Sequence, residues 1–163
     1  MLNAYILPMS TMNQIRRRFE KLQGREMRFV AEAIDEQSEE AAILNIDQLT
    51  DGIKTDGTKV DFTYKESTIK RKSNRVGIAG ITSHLTNFDT GESYTNLFEK
   101  VSKNKVIFGT TSASDKPRDK EKYINERMDG KAFGLTPENK ETFLKEFVSP
   151  LFIKKIKQKL KLL

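Results

Sequence analysis

The sequence predicts an α+β fold: a long N-terminal helix or helix pair, a small antiparallel β-sheet with a hairpin, and a long C-terminal helix. Three observations predict it. Apolar residues recur at three- and four-residue steps through residues 10–49, β-rich runs occupy the region 81–111, and the residues from Thr136 onward carry three separate helix-start signals. A chain of 163 residues that is 36% hydrophobic suffices for one core and is thin for two, so a single structural domain is expected over 1–163.

The helical region opens with Ser10 or Thr11 as N-cap after Pro8. Met12, Ile15, Phe19 and Leu22 form one apolar stripe, and Met27, Val30, Ile34, Ala41 and Leu44 resume it after Gly24. One helix with a weak point at Gly24, or two helices, fits this pattern. Such a stripe is what core or subunit packing requires. Residues 50–80 then change character, with Asp51-Gly52 and Asp56-Gly57 as turn signals and little helical period. A stretch of that length without structure is uncommon inside a compact domain, so it is expected as an extended loop or arm that orders on a partner. It carries Tyr64, Ile69 and the basic run Lys70-Arg71-Lys72.

Two strands follow. Tyr94 to Val101 alternates in polarity, Lys105 to Thr110 contains Val106-Ile107-Phe108, and Lys103-Asn104 suits a tight turn between them. After a polar loop from Thr111, a short helix is expected within 119–130, ending near Gly130. The last helix, over 136–161, begins with Thr136 as N-cap, Pro137 at the first helical position and Glu138 in the first turn. Phe143, Leu144, Phe147, Val148, Leu151, Phe152, Ile156 and Leu160 share one face of it. Pro150 interrupts that pattern and predicts a kink just before it, because proline removes a backbone donor and crowds the preceding turn.

Composition narrows the chemistry. There is no cysteine and a single histidine, His84, which rules out thiolate sites, disulfides and multi-histidine metal centres. A carboxylate-only magnesium site stays open in principle, but no spacing of acids marks one. Ser83, His84 and Asp89 lie too close in sequence to come together as a triad assembled from separate elements. Asp89-Thr90-Gly91 matches the aspartic-protease triplet, yet lacks the hydrophobic β-rich frame around it and reads as a turn. No catalytic residue, cofactor or metal is therefore expected.

The net charge is +6, and its distribution is uneven. From Glu32 to Ile53 there are seven acids and no Lys or Arg, whereas Arg16 to Arg18, Lys70 to Lys72 and Lys154 to Lys161 are basic. Opposite patches of this kind suit head-to-tail self-association. They also suit contact with phosphates, with Phe62 or Tyr64 beside the lysines as stacking groups, although no zinc-finger, helix-turn-helix or RNP-like pattern accompanies them. No run approaches the roughly 18 apolar residues of a spanning helix, and the stretch Ala4-Tyr5-Ile6-Leu7 lacks the flanks of a signal peptide, so no membrane partner is expected and synthesis in the cytoplasm is.

Several pieces from Tyr64 onward occur in a telling order. They are Tyr64-Lys65-Glu66-Ser67-Thr68-Ile69-Lys70, then Leu85-Thr86-Asn87-Phe88-Asp89-Thr90-Gly91-Glu92-Ser93-Tyr94, then Ile107-Phe108-Gly109-Thr110, and finally Ala132-Phe133-Gly134-Leu135-Thr136-Pro137-Glu138-Asn139. In this order the chain resembles a family of tailed-phage virion-morphogenesis and tail-completion proteins of the head-to-tail neck, similar to the Mu G-like type and to small proteins of Bacteroidetes phages. The likeness covers roughly residues 60–163, and Asn87-Phe88 stands as an insertion before Asp89-Thr90-Gly91.

The resemblance implies a structural virion protein without an active site, forming a homo-oligomeric ring of six or twelve copies at the neck or tail top. Its partners would be portal or adaptor ring proteins and tail proteins, with passive contact to genomic DNA. The residues expected at interfaces are Tyr64, Ile69, Lys70, Arg71, Phe88, Tyr94, Phe147 and Leu151. Two rivals are a non-sequence-specific DNA-binding accessory protein and a small hydrolase using Asp89 or His84.

Overall fold

The computed structural model describes residues 9–86, 97–102, 105–110 and 117–162. The N-terminal third makes three helices where one or two were expected. α1, Met9–Leu22, stops just before Gly24, which takes a φ of +76°, a left-handed conformation that glycine adopts at little cost. α2, Glu26–Glu36, and α3, Ser38–Thr50, are parted at Gln37, with φ −114° and ψ 14°. Glycine and proline are absent from this break. Its effect is electrostatic: Glu39 and Glu40 occupy the first turn of a new helix, where the dipole favours acids, instead of the interior of a longer one.

The segment 50–80 is not an extended arm. The backbone folds back with a bridge between Ile53 and Lys59, runs extended to Tyr64, and then forms α4, Glu66–Ser73, and a 3-10 turn, Gly77–Gly80. Val60, Phe62 and Tyr64 reach into a core made with Leu49, Leu85, Ile124 and Met128. The burial of those aromatic groups orders the segment within a single chain, and the turn-rich sequence hides it because the partners are distant in sequence.

The β half of the expected fold is corrected. The chain is mostly helical, and among the described residues the β part is a single antiparallel pair of strands, not a sheet around which the long helices pack. Leu97–Ser102 (β1) and Lys105–Thr110 (β2) lie antiparallel as a ribbon two strands wide, Leu97 opposite Thr110 and Ser102 opposite Lys105. The tight turn expected at Lys103-Asn104 falls outside the described residues. Phe108 leans on the helices while its neighbour Ile107 is 48% exposed, so the ribbon covers an edge of a helical core and does not form a layer of its own.

α5 spans Pro117–Arg127, and the C-terminal run comprises α6, Pro137–Thr142, a π-helical segment, Phe143–Val148, and α7, Ser149–Leu160. The Thr136 hydroxyl accepts from the Asn139 amide at 3.1 Å, a cap worth about 1 kcal/mol. The disturbance expected before Pro150 takes the form of the π segment. One residue more per turn spreads the backbone where the proline ring would crowd a carbonyl, and the Ser149 hydroxyl donates to the Leu144 carbonyl at 2.7 Å.

Two apolar clusters result. The first gathers Leu49, Tyr64, Leu85, Ile124, Met128 and Ala132; the second gathers Ala33, Ala41, Leu135, Phe143 and Val148. α3 and the loop from Ala132 to Leu135 contribute to both, and a polar knot ties them together there. The Asn45 amide donates to the carbonyls of Ala132 (3.1 Å) and Gly134 (2.7 Å), and the Gln48 amide donates to Gly134 at 3.0 Å. The Gln48 carbonyl oxygen in turn accepts from the Thr136 backbone at 2.9 Å and from the Asn139 side chain at 2.7 Å. Buried polar groups are costly unless paired, so this knot fixes the loop against α3 in one register.

Candidate functional site

His84 and Ser83 are bonded within the fold. The His84 ring bonds the Thr50 carbonyl through Nε2 at 3.0 Å and the Ser83 hydroxyl through Nδ1 at 3.0 Å. A carbonyl only accepts, so Nε2 carries the proton and Nδ1 accepts from Ser83. Both nitrogens are thereby engaged, and the ring caps the end of α3. The backbone beside it is closely packed: a Cβ added at Gly52 would lie 2.7 Å from the Leu85 carbonyl oxygen and 3.6 Å from the His84 ring. Asp89, the other candidate acid, falls outside the described residues. Among the described residues no group of three or more His, Asp or Glu is placed to hold a metal ion, and no helix is long and apolar enough to cross a membrane.

The strongest electrostatic feature is also structural. Lys54 pairs with Asp129 at 2.7 Å and Lys131 pairs with Asp56 at 2.6 Å, while the Thr55 amide donates to the Lys131 carbonyl at 2.9 Å. The Lys131 ammonium, with help from the Thr58 hydroxyl and amide, holds the Asp56 carboxyl well below the usual carboxylate range. Lys54 likewise lowers Asp129, and Asp56 raises Lys131. These pairs lace the turn after α3 to the turn after α5 on the surface.

The expected interface residues divide. Tyr64 is corrected: it is buried in the first cluster, 5.1 Å edge-on from the Phe62 ring, with its hydroxyl accepting from the Thr86 amide at 3.2 Å. The Lys72 ammonium lies 5.2 Å from the Tyr64 ring centre, so the basic run is split, Lys72 turned inward and Lys70 and Arg71 outward. Ile69 is 37% exposed on α4. Phe147 and Leu151 are half-buried against the second cluster, Phe147 stacked at 6.4 Å on Phe143. Phe88 and Tyr94 fall outside the described residues.

Exposed apolar side chains are scattered, Val76 at 94%, Met27 at 65% and Ile153 at 50% among them, and two surfaces gather several. On α1, Ile15 and Leu22 are half-buried where the helix rests on α7, and Arg18 donates to the Leu160 carbonyl at 2.9 Å. Met12 and Phe19, from the same stripe, are each 55% exposed. A second unfilled surface is a groove of about 580 Å³ walled by Ile34, Ala41, Phe108, Leu135, Phe143 and Leu144. Its rim carries Ile107 and Leu144, each 48% exposed, and Lys140. The α1 stripe was legible as a stripe, though not as an uncovered one. The groove had no sequence signal, because segments distant in sequence build it.

No family model, no curated protein and no solved structure matches the chain.

An amphipathic helix of 14 residues is marginal in water unless tertiary packing covers its apolar face. Here the chain itself covers about half of that face. The arrangement offers apolar area and charge to another polypeptide, and both ring nitrogens of His84 are engaged in internal bonds.

Proposed function

We propose that this protein is a structural virion component of a tailed phage, a ring-forming subunit of the head-to-tail connector or tail top that acts by packing against neighbouring proteins and performs no catalysis. The observation that carries the reading is the half-covered α1 stripe, with Met12 and Phe19 exposed on a helix that needs a partner for stability. The ordered set of motifs from Tyr64 to Asn139 supports it independently. One of them, Ala132 to Asn139, is the loop held by Asn45 and Gln48, a rigid base for the helix that follows. The ring, its six- or twelve-fold symmetry and the portal, adaptor and tail partners belong to this proposal.

The test is localisation. Mass-spectrometric analysis of purified mature particles, with gold labelling of this chain in micrographs, is expected to find it at the neck or tail top. Absence from mature particles overturns the reading.

One observation favours a second reading, a non-sequence-specific DNA-binding accessory protein: Lys154, Lys157, Lys159 and Lys161 are all exposed at the C-terminal end of the chain. That reading predicts duplex affinity falling steeply as salt rises, by about 0.9 log units per log unit of salt for each phosphate contacted. A salt-independent or absent duplex affinity removes it.

A further inference from the structure

We infer that α1 of one copy seats Met12 and Phe19 in the apolar groove beside the π segment of the next copy, so that the chain assembles head to tail. This rests on the assembly reading above and specifies its contact. Three observations carry it.

The first is the pairing of an unfilled groove with an uncovered knob. The groove's volume of about 580 Å³ falls within the range of about 300–1,000 Å³ typical of sites that enclose apolar ligands. Met12 and Phe19 are seven residues apart, hence on one side of α1 and about 10 Å apart along its axis. This is the anchor spacing of a helix laid in a groove.

The second is charge. Arg16 stands between the two anchors, four residues after Met12 and three before Phe19, and its side chain is 79% exposed. The lining residues Ile34 and Ala41 flank the bend between α2 and α3, where Asp35, Glu39 and Glu40 lie in a stretch without Lys or Arg. Lys140 lines the groove as a cation, and Glu20, one turn beyond Arg16 and paired with it at 3.0 Å, is the acid that α1 brings to it.

The third is distance, which excludes α1 of the same chain as the occupant. Arg18 holds α1 at Leu160, and Leu144, on the groove rim, precedes Leu160 by 16 residues, about 24 Å of helix. Phe19, adjacent to Arg18, lies far from the groove of its own chain. Knob and groove are different surfaces at separated places, so the contact is heterologous and propagates from copy to copy until a ring closes.

The test uses the full chain in two variants at exposed positions, Phe19→Asp to spoil the knob and Leu144→Asp to spoil the groove. Each alone is expected to stay monomeric under conditions where the unaltered chain associates, with self-affinity reduced roughly 30-fold or more. Mixed, they retain one intact knob and one intact groove, and native mass measurement is expected to show a heterodimer that grows no further. Variants that still form the full oligomer, or a mixture without heterodimer, overturn the inference and leave the assembly reading standing. An unaltered chain that stays monomeric at every concentration, alone and with connector proteins, overturns both.

A second measurement is independent of equilibrium strength. Because the chain has no cysteine, F19C/L144C treated with diamide, which accepts the two thiol hydrogens as the disulfide forms, can link only these positions. Disulfides need Cα atoms within about 7 Å, so the separation within one chain forbids an internal bond. A ladder of covalent multimers is the expected product, and monomer alone contradicts the inference.

Discussion

The junction between the two apolar clusters and the N-terminal helix are finished to very different degrees. At the junction, Asn45 and Gln48 bond the loop from Ala132 to Thr136 within the chain, leaving only the Asn45 Oδ1 without a partner among the described residues. On α1, one edge of the stripe is covered by α7 and the other faces out. The contrast separates what the monomer needs for folding from what it holds ready for a neighbour. A polar group buried without a partner costs free energy at once, whereas an apolar side chain left outside costs little until something comes to cover it.

The junction should break the protein most severely. Gln48→Ala removes the acceptor of the Thr136 amide and the donor to the Gly134 carbonyl, and is expected to destabilise by about 3 kcal/mol in urea unfolding. Tyr64→Phe keeps the ring in the first cluster and removes only the acceptor of the Thr86 amide, so a loss of about 1 kcal/mol is expected. At the other extreme, Phe19→Asp is expected to move monomer stability by no more than about 0.5 kcal/mol, since it changes an exposed side chain. The same substitution should act on self-association.

The surface lacing gives a smaller, pH-dependent effect. Asp56 has its carboxyl lowered from an ordinary value of 3.8, so its contribution is present above that pH and is lost as pH falls further. Lys131 is raised from 10.5, so its contribution is present below that pH and is lost as pH rises through the raised value. Asp56→Asn should flatten both limbs. Thermal midpoints measured across pH are expected to show the unaltered chain favoured between those limits, with the advantage fading at either extreme; identical profiles would contradict the pairing.

What the sequence revealed depended on how local the physics was. Thr136 and Pro137 start a helix for reasons contained in four residues, and the structure places the cap there. Gly24 marks the end of α1 because a positive φ is a property of one residue. The break at Gln37 had no such marker, since its advantage comes from placing Glu39 and Glu40 at a new helix start. Residues 50–80 read as an arm because Tyr64 and Phe62 are held by Leu85 and Met128, far along the chain. The run Val106 to Phe108 reads as a strand from its residue types, but whether it builds a sheet or edges a helical core depends on partners that no local pattern names. The groove is the extreme case, assembled from α2, α3, β2, the loop before α6 and the π segment.

The central claim is that the uncovered apolar surfaces of this chain exist for neighbouring polypeptides. Its most direct test is the mass of the purified chain in solution over a wide concentration range, alone and mixed with connector proteins. A discrete oligomer of fixed copy number, growing in population with concentration, is the predicted result. A chain that remains monomeric throughout both series would contradict the account.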